Sequence, residues 1–168
     1  MGAFAFYNCD QLTEIEIPKS LKETTNDYYP DYHYGYVDGP FYGCDGLKKI
    51  VFEEGTTKVA NGLFAYCLGI EEITIPDTVT MIGNNAFGDC VSLRTVRFGT
   101  GVTEIDKNAF IRDKQIAEIT MTDSITKVAS GAFAECEGLN KVTLSKALQT
   151  MGAFAFYNCD QLTEIEIP

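Results

Sequence analysis

The sequence has 168 residues, of which 45% are apolar and 22% are charged, and its formal net charge is −11. This length and composition fit one globular domain. An acidic chain is repelled by nucleic-acid phosphates, so no nucleic acid is expected as a partner. The sequence has neither a signal-peptide pattern after Met1 nor an apolar run of the roughly 18 residues that cross a bilayer, which predicts no membrane insertion within this chain.

From its first residues onwards, the chain repeats one pattern, I-G-x-x-A-F-x-x-C-x-x-L-x-x-I-x-I-P. Its phenylalanine recurs after one step of 35 residues and then every 23 residues. The phenylalanine column consists of Phe6, Phe41, Phe64, Phe87, Phe110, Phe133 and Phe156. Within I-x-I the two apolar side chains share one face of a strand. A single copy cannot bury that face alone, so each copy predicts one turn, or rung, of a stacked solenoid.

Two further positions of the repeat predict how the rungs are completed and aligned. The segment from Asn84 to Phe87 is a candidate short helical turn, and Asp38, Asn61, Asn84 and Ser130 share a position suited to capping it. Like charges directly opposite each other destabilise a sheet. The outward strand column therefore favours parallel strands in register, because no two neighbours in it carry the same charge. This column consists of Glu14, Lys49, Glu72, Thr95, Glu118, Lys141 and Glu164.

The cysteines follow the same period, and Asp113 fills the one gap in their column. They are Cys9, Cys44, Cys67, Cys90, Cys136 and Cys159. Free cysteine packs as a small apolar residue, so the column predicts buried, reduced thiols, although a disulfide between neighbouring rungs remains open. The chain has no C-x-x-C pair and its one histidine, His33, is remote from the column, so no metal site is predicted. Asp113 is expected near a turn, bonded to local backbone.

The repeat resembles a known family. The L-x-x-I-x-I segment is similar to the strand of a leucine-rich repeat, and the 23-residue period with A-F-x-x-C resembles the BspA-like branch of that superfamily. The resemblance covers the whole chain except one insertion. It implies a β-rich leucine-rich-repeat solenoid that is right-handed, with a parallel, in-register β-sheet on one face and short helical turns or irregular chain on the other. It also implies a bacterial surface or secreted protein linked to adhesion.

One insertion of twelve residues within residues 22–38 interrupts the period, and it is rich in tyrosine. Tyr36 falls on an apolar column of the repeat and is expected in the core. Aromatic loop residues suit recognition of a glycan or of a protein surface, but they can equally fold onto their own scaffold. The candidate binding residues are Tyr28, Tyr29, Tyr32, His33 and Tyr34.

The first and last eighteen residues, 1–18 and 151–168, are identical, including surface positions that the repeat does not constrain. The sequence therefore predicts a single solenoid of seven rungs over residues 1–168. Within it, residues 1–150 form one higher-order module of six 23-residue repeats plus the insertion, and residues 151–168 start the next. Three explanations remain open: an excerpt of a long tandem array, a short chain that stacks into a fibre, or a segment cut from a larger protein.

Neither terminal rung carries the atypical polar repeat that normally closes a solenoid. We therefore expect a structural module of an extracellular filament or cell-surface stalk that stacks head-to-tail on other copies through its uncapped ends. The alternative is an adhesin-like module that binds glycan or host protein through the tyrosine-rich loop. The residues expected at the assembly ends are Met1, Phe4, Phe6, Leu12, Ile15, Ile17, Phe156, Leu162, Ile165 and Ile167.

Enzymatic activity is not expected. The sequence has no G-x-S-x-G, P-loop, G-x-G-x-x-G or H-E-x-x-H motif, and its glutamates fall on outward strand positions. No catalytic residue and no cofactor is therefore predicted, although a carboxylate pair for glycoside chemistry remains open.

Overall fold

A computed structural model describes residues 1–25 and 38–168. Across these two ranges the regular secondary structure is entirely β, with twelve short strands. The strands are β1 (Glu14–Ile17), β2 (Lys49–Phe52), β3 (Lys58–Val59), β4 (Glu72–Thr74), β5 (Met81–Ile82), β6 (Thr95–Arg97), β7 (Glu104–Ile105), β8 (Glu118–Thr120), β9 (Lys127–Val128), β10 (Lys141–Thr143), β11 (Thr150–Met151) and β12 (Glu164–Glu166). The described part of the chain contains no helix that could cross a membrane.

The strands stack into a parallel β-solenoid. Strands carrying the I-x-I segment form three parallel sheets, β1-β2, β4-β6 and β8-β10-β12, and the two-residue strands form one sheet in the order β3-β5-β7-β9-β11. Equivalent repeat positions pair directly, as Val59 with Ile82 and Ile82 with Ile105. The predicted parallel, in-register solenoid is therefore confirmed.

A column of stacked phenylalanine rings runs through the core. Neighbouring rings in the predicted column, from Phe6 to Phe156, have centroids 4.9–5.5 Å apart and ring planes within 2–19° of parallel. The five inner rings, from Phe41 to Phe133, have no solvent exposure. Each ring is thus covered on both faces by the same residue of the adjacent rungs, which fixes the spacing of the rungs.

The candidate helical turn at residues 84–87 is not formed, and the irregular alternative is what the structure shows. Asn85 has a φ of 52°, which is left-handed and incompatible with an α-helix. The amides of Asn85 and Phe87 donate to the carbonyls of Lys107 and Ala109 in the next rung, at 3.0 and 2.8 Å. Hydrogen bonds between rungs therefore replace those within a helix. The expected cap Asn61 likewise accepts the amide of Asn84, one rung on, at 3.1 Å.

Ion pairs join the rungs along the outward strand column. Lys49 Nζ lies 2.7 Å from Glu14 Oε1, and Lys141 Nζ lies 2.7 Å from Glu164 Oε1. These side chains are solvated, so each pair stabilises the fold by about 0–1 kcal/mol. Their effect is to favour the observed register over a shifted one, because a shift would place like charges side by side.

The cysteine column packs as predicted, with free thiols. Cys44, Cys67, Cys90 and Cys136 are buried, Cys159 is half-buried, and Cys9 is exposed. The buried thiols bond to the backbone of the preceding rung. The Sγ atoms of Cys90 and Cys136, for example, donate to the carbonyls of Phe64 and Phe110, each at 3.2 Å.

We predict that Phe110→Ala lowers the free energy of unfolding by about 3–5 kcal/mol, because it removes a ring buried between Phe87 and Phe133 and leaves a cavity. Urea denaturation followed by circular dichroism measures the change. Val91→Ala is the control, since Val91 is exposed and its truncation should change stability by less than about 0.5 kcal/mol. Equal losses in the two variants would contradict a stability that depends on the phenylalanine column.

Candidate functional site

The two identical eighteen-residue units lie at opposite ends of the described solenoid and have different neighbours. We call residues 1–25 the first rung and residues 151–168 the last rung. The first rung is followed by another rung, through pairing of β1 with β2. The last rung is preceded by one, through pairing of β12 with β10. Together the two copies show what contacts each side of this unit.

The effect of a following rung is clearest at one isoleucine of the unit. Ile17, in the first rung, pairs with Phe52 and is 1% exposed. Ile167 is the same residue in the last rung, and it is 79% exposed. Because the local sequences are identical, the difference comes from the neighbouring rung alone. Ile165 is likewise 52% exposed, whereas its counterpart Ile15 is half-buried against the core.

The structure divides the residues expected at the assembly ends into three groups. Met1 and Phe4 are each 37% exposed at the first rung, and Ile165 and Ile167 are exposed at the last. Ile17 belongs to the interior and contributes nothing to an exposed face. The half-buried members, which pack against the core from the two ends, are Phe6, Leu12, Ile15, Phe156 and Leu162.

The candidate binding residues Tyr28, Tyr29, Tyr32, His33 and Tyr34 lie outside the described residues, as does Tyr36. Their role in recognition stays a prediction. Over residues 1–25 and 38–168, no cluster of three or more His, Cys, Asp or Glu side chains is placed to hold a metal ion.

Sequence reasoning missed an exposed aromatic pair that the repeated unit carries twice. Phe4 and Tyr7 contact each other edge-to-face with ring centroids 5.4 Å apart, and Phe154 and Tyr157 do so at 5.6 Å. Phe4 and Phe154 both have a left-handed backbone, with φ of 55° and 61°. The signal was present in the repeat, because Gly62, Asn85, Asn108 and Gly131 occupy the same position and also have positive φ. A column of glycine and asparagine indicates a left-handed turn, and phenylalanine is the exception in it.

Asp113, which replaces cysteine in its column, is completely buried. Neither of its carboxylate oxygens finds a hydrogen-bond partner among the described residues, so the expected bond to local backbone is absent. Burial, and then the nearby Asp89 carboxylate, raise the pKa of Asp113 well above its usual range. Burial also raises the pKa of the neighbouring thiols of Cys90 and Cys136. This part of the core therefore favours the neutral form of each group.

An ion pair lies beside this acid. The guanidinium of Arg112 donates two hydrogen bonds to the carboxylate of Asp89, at 2.6 and 2.7 Å. Both side chains are nearly buried, and two-point pairing of this kind has a defined geometry. The pair links two successive rungs next to Asp113.

Comparison with known proteins agrees with this architecture. A family described as "BspA type Leucine rich repeat region" matches in six copies, over residues 1–32, 37–128 and 104–168. The chain belongs to the BspA-type leucine-rich-repeat family. No curated protein matches the sequence.

Solved structures of leucine-rich-repeat proteins share the fold of this BspA-type chain. One from T. pallidum matches with a TM-score of 0.55 and 20% identity, over 84% of this chain and 78% of that chain. Another, from Eubacterium ventriosum, matches with a TM-score of 0.52 and 23% identity, over 93% of this chain and 49% of that chain. The chain thus spans about half the length of the second protein. At these identities the similarity shows the fold alone.

We predict that the stability of this BspA-type chain falls as pH rises, in part because of Asp113. Between the ordinary pKa of about 3.9 and the raised pKa of the folded state, the folded protein binds more protons at this group than the unfolded protein does. Stability contributed by the neutral acid is therefore lost as pH rises through the folded pKa. Asp113→Asn removes this titration, so its stability relative to the wild type should increase with pH.

Urea denaturation of both proteins from pH 4 to pH 8 measures this difference. Asp113→Cys restores the residue found elsewhere in the column. It should stabilise the protein at neutral pH by about 1–3 kcal/mol, the usual cost of a buried, unsatisfied polar group. A stability difference between wild type and Asp113→Asn that does not change with pH would contradict the assignment.

Proposed function

We propose that this chain is a non-enzymatic structural segment of an extracellular filament or cell-surface stalk, in which the 150-residue module repeats in tandem. The observation that carries the proposal is the contrast between Ile17 and Ile167, which are 1% and 79% exposed in identical units. The unit buries this side chain only where another rung follows it. Full burial of an isoleucine stabilises a protein by about 1.5–3 kcal/mol, so continuing the solenoid past residue 168 is favourable.

The first rung shows which rung completes the last one. A rung like that of β2, starting the remainder of a next module, would place its Lys49 beside Glu164, as Lys49 lies beside Glu14 here. It would place Phe52 against Ile167, as Phe52 pairs with Ile17. It would also bring Tyr42 against Phe154, as the Tyr42 and Phe4 rings are 5.6 Å apart here. Backbone pairing, charge and ring contacts therefore support the same neighbour.

Direct stacking of one chain's first rung on another chain's last rung is less favourable. That arrangement would place Glu14 beside Glu164 and Glu16 beside Glu166, since equivalent positions pair in register throughout the solenoid. Like charges directly opposite each other in a sheet are destabilising. We therefore favour covalent tandem repetition over end-to-end association of separate chains.

Membership of the BspA-type family supports a surface location and a role without catalysis. Other copies of the module are the partners that this proposal requires. The adhesin-like alternative, with glycan or host protein bound by the tyrosine-rich segment, depends on residues outside the described ranges and stays a prediction. Protease treatment of intact source cells would test the location, because a surface protein is cleaved without lysis.

A tandem chain, in which residues 1–150 are followed directly by residues 1–168, tests the repetition. In the single chain, we expect Ile17→Ala to lower the free energy of unfolding by about 2–5 kcal/mol and Ile167→Ala to change it by less than about 0.5 kcal/mol. In the tandem chain Ile167 lies in an internal unit, so Ile167→Ala should cost as much as Ile17→Ala. Urea denaturation measures all four values.

Charge reversal provides the control. Lys49→Glu in the second module of the tandem chain puts a like charge beside Glu164 and should reduce the stability gained at the junction. If Ile167→Ala remained neutral in the tandem chain, the two modules would not form one solenoid and the proposal would fail. Longer arrays should show, by electron microscopy, an axial repeat of about 29 Å, from six rungs spaced roughly 4.8 Å apart.

A further inference from the structure

A cleft of about 350 Å³ lies beside the last rung. The same two repeat positions of three successive rungs form it. Asn108 and Ile111 make one wall, and Gly131 and Ala134, which are small, make the floor. Phe154 and Tyr157 make the opposite wall. The walls are two rungs, or roughly 10 Å, apart, which leaves room between them for a flat ring. We call this cleft the aromatic slot.

The aromatic wall of the slot is unusual in both exposure and backbone conformation. Phe154 is 70% exposed and Tyr157 is 46% exposed, with ring planes 82° apart. Phe154 has a φ of 61°, a conformation that is unfavourable for a bulky residue and that glycine or asparagine adopts at this position in the three rungs before it. Backbone strain of this kind concentrates at functional sites. Neither packing nor conformational preference accounts for a phenylalanine here.

The lining combines ring faces with a few hydrogen-bonding groups. Besides the aromatic wall it presents the side-chain amide of Asn108, the hydroxyl of Ser130 and the carboxylate of Glu135. None of the eight lining residues is Lys or Arg. Small-molecule sites typically have about 300–1,000 Å³ and a mostly apolar lining with a few placed polar groups, and the slot meets both conditions.

We propose that the aromatic slot binds a neutral pyranose ring of a glycan. A pyranose has an apolar C–H face that can pack on the ring of Phe154, and hydroxyl groups at its edge that match the amide, hydroxyl and carboxylate groups of the lining. Phosphorylated, sulfated and acidic sugars are disfavoured, because the slot offers Glu135 and no cation, and the chain has a net charge of −11.

This site goes beyond the proposed structural function and does not depend on it, since all of its residues lie in one chain between Asn108 and Tyr157. If the modules do repeat in tandem, one slot would occur per module. Tandem repetition can fail in its own test while the slot still binds a sugar, and the reverse also holds.

The chain provides a matched control for the aromatic wall. Phe4 and Tyr7 have the same local sequence and the same edge-to-face contact as Phe154 and Tyr157. They border a different groove, with Asp38 and Tyr42, and have no glycine–alanine floor beneath them. Phe154→Gly and Phe4→Gly are therefore equivalent changes in sequence that differ only in whether they remove a wall of the slot. Glycine favours the left-handed backbone, so neither change should lower the melting temperature.

The experiment is a titration of the 168-residue chain, followed by protein NMR, with methyl β-D-glucopyranoside, methyl β-D-galactopyranoside and N-acetylglucosamine. Glucuronate and choline serve as anionic and cationic comparison ligands. We expect at least one neutral pyranoside to bind and to shift resonances from residues 108–157. Phe154→Gly should weaken this binding about tenfold or more, as loss of an aromatic stacking contact would, and Phe4→Gly should change it by less than about twofold.

Three results would overturn the proposal. The first is that no neutral pyranoside binds. The second is that binding persists in Phe154→Gly, or is lost instead in Phe4→Gly, which would place the ligand elsewhere. The third is that choline alone binds, which would identify the slot as a cation site formed by Glu135 and the ring faces.

Discussion

Every level of this structure depends on stacking equal residues at equal spacing. The phenylalanine rings, 4.9–5.5 Å apart, set the distance between rungs, and the strands, thiols and ion pairs must then occur at the same spacing. This constraint acts on backbone as well as side chains. A Cβ at Gly83, for example, would lie 2.8 Å from the backbone nitrogen of Asn61 in the rung below. A repeat of nearly constant length follows directly, because a residue added inside the packed part of a rung would shift every column beyond it.

The sequence allowed prediction of the features that one repeat position determines. Phe87, Cys90 and Ile82 were assigned to the core from their columns alone, and the pairing of Lys49 with Glu14 followed from alternating charge. The helical turn at Asn85 was predicted wrongly. Its local sequence suits a cap and helix start, but hydrogen bonds to the next rung compete with it and form instead. Local propensity decided little where a stacked neighbour offered the same backbone groups a better partner.

Other features needed the positions of two or three rungs at once. The missing partners of Asp113 depend on how Cys90 and Cys136 pack above and below it. The aromatic slot exists because Gly131 and Ala134 lie between Ile111 and Tyr157, a combination that no single repeat reveals. The contrast between Ile17 and Ile167 is invisible in sequence, since the two units are identical letter for letter. Departures from the repeat therefore acquire meaning only through their neighbours in space.

The direction of the hydrogen bonds has a mechanical consequence. Bonds such as that from Phe87 N to Ala109 O run from rung to rung, so tension applied along the solenoid axis loads each interface between rungs in series. Such a chain would yield one rung at a time. Each rung released would supply 23 residues of slack, or about 80 Å of extended chain at roughly 3.5 Å per residue. A short solenoid of this design can therefore lengthen many-fold under force and dissipate the load in equal steps.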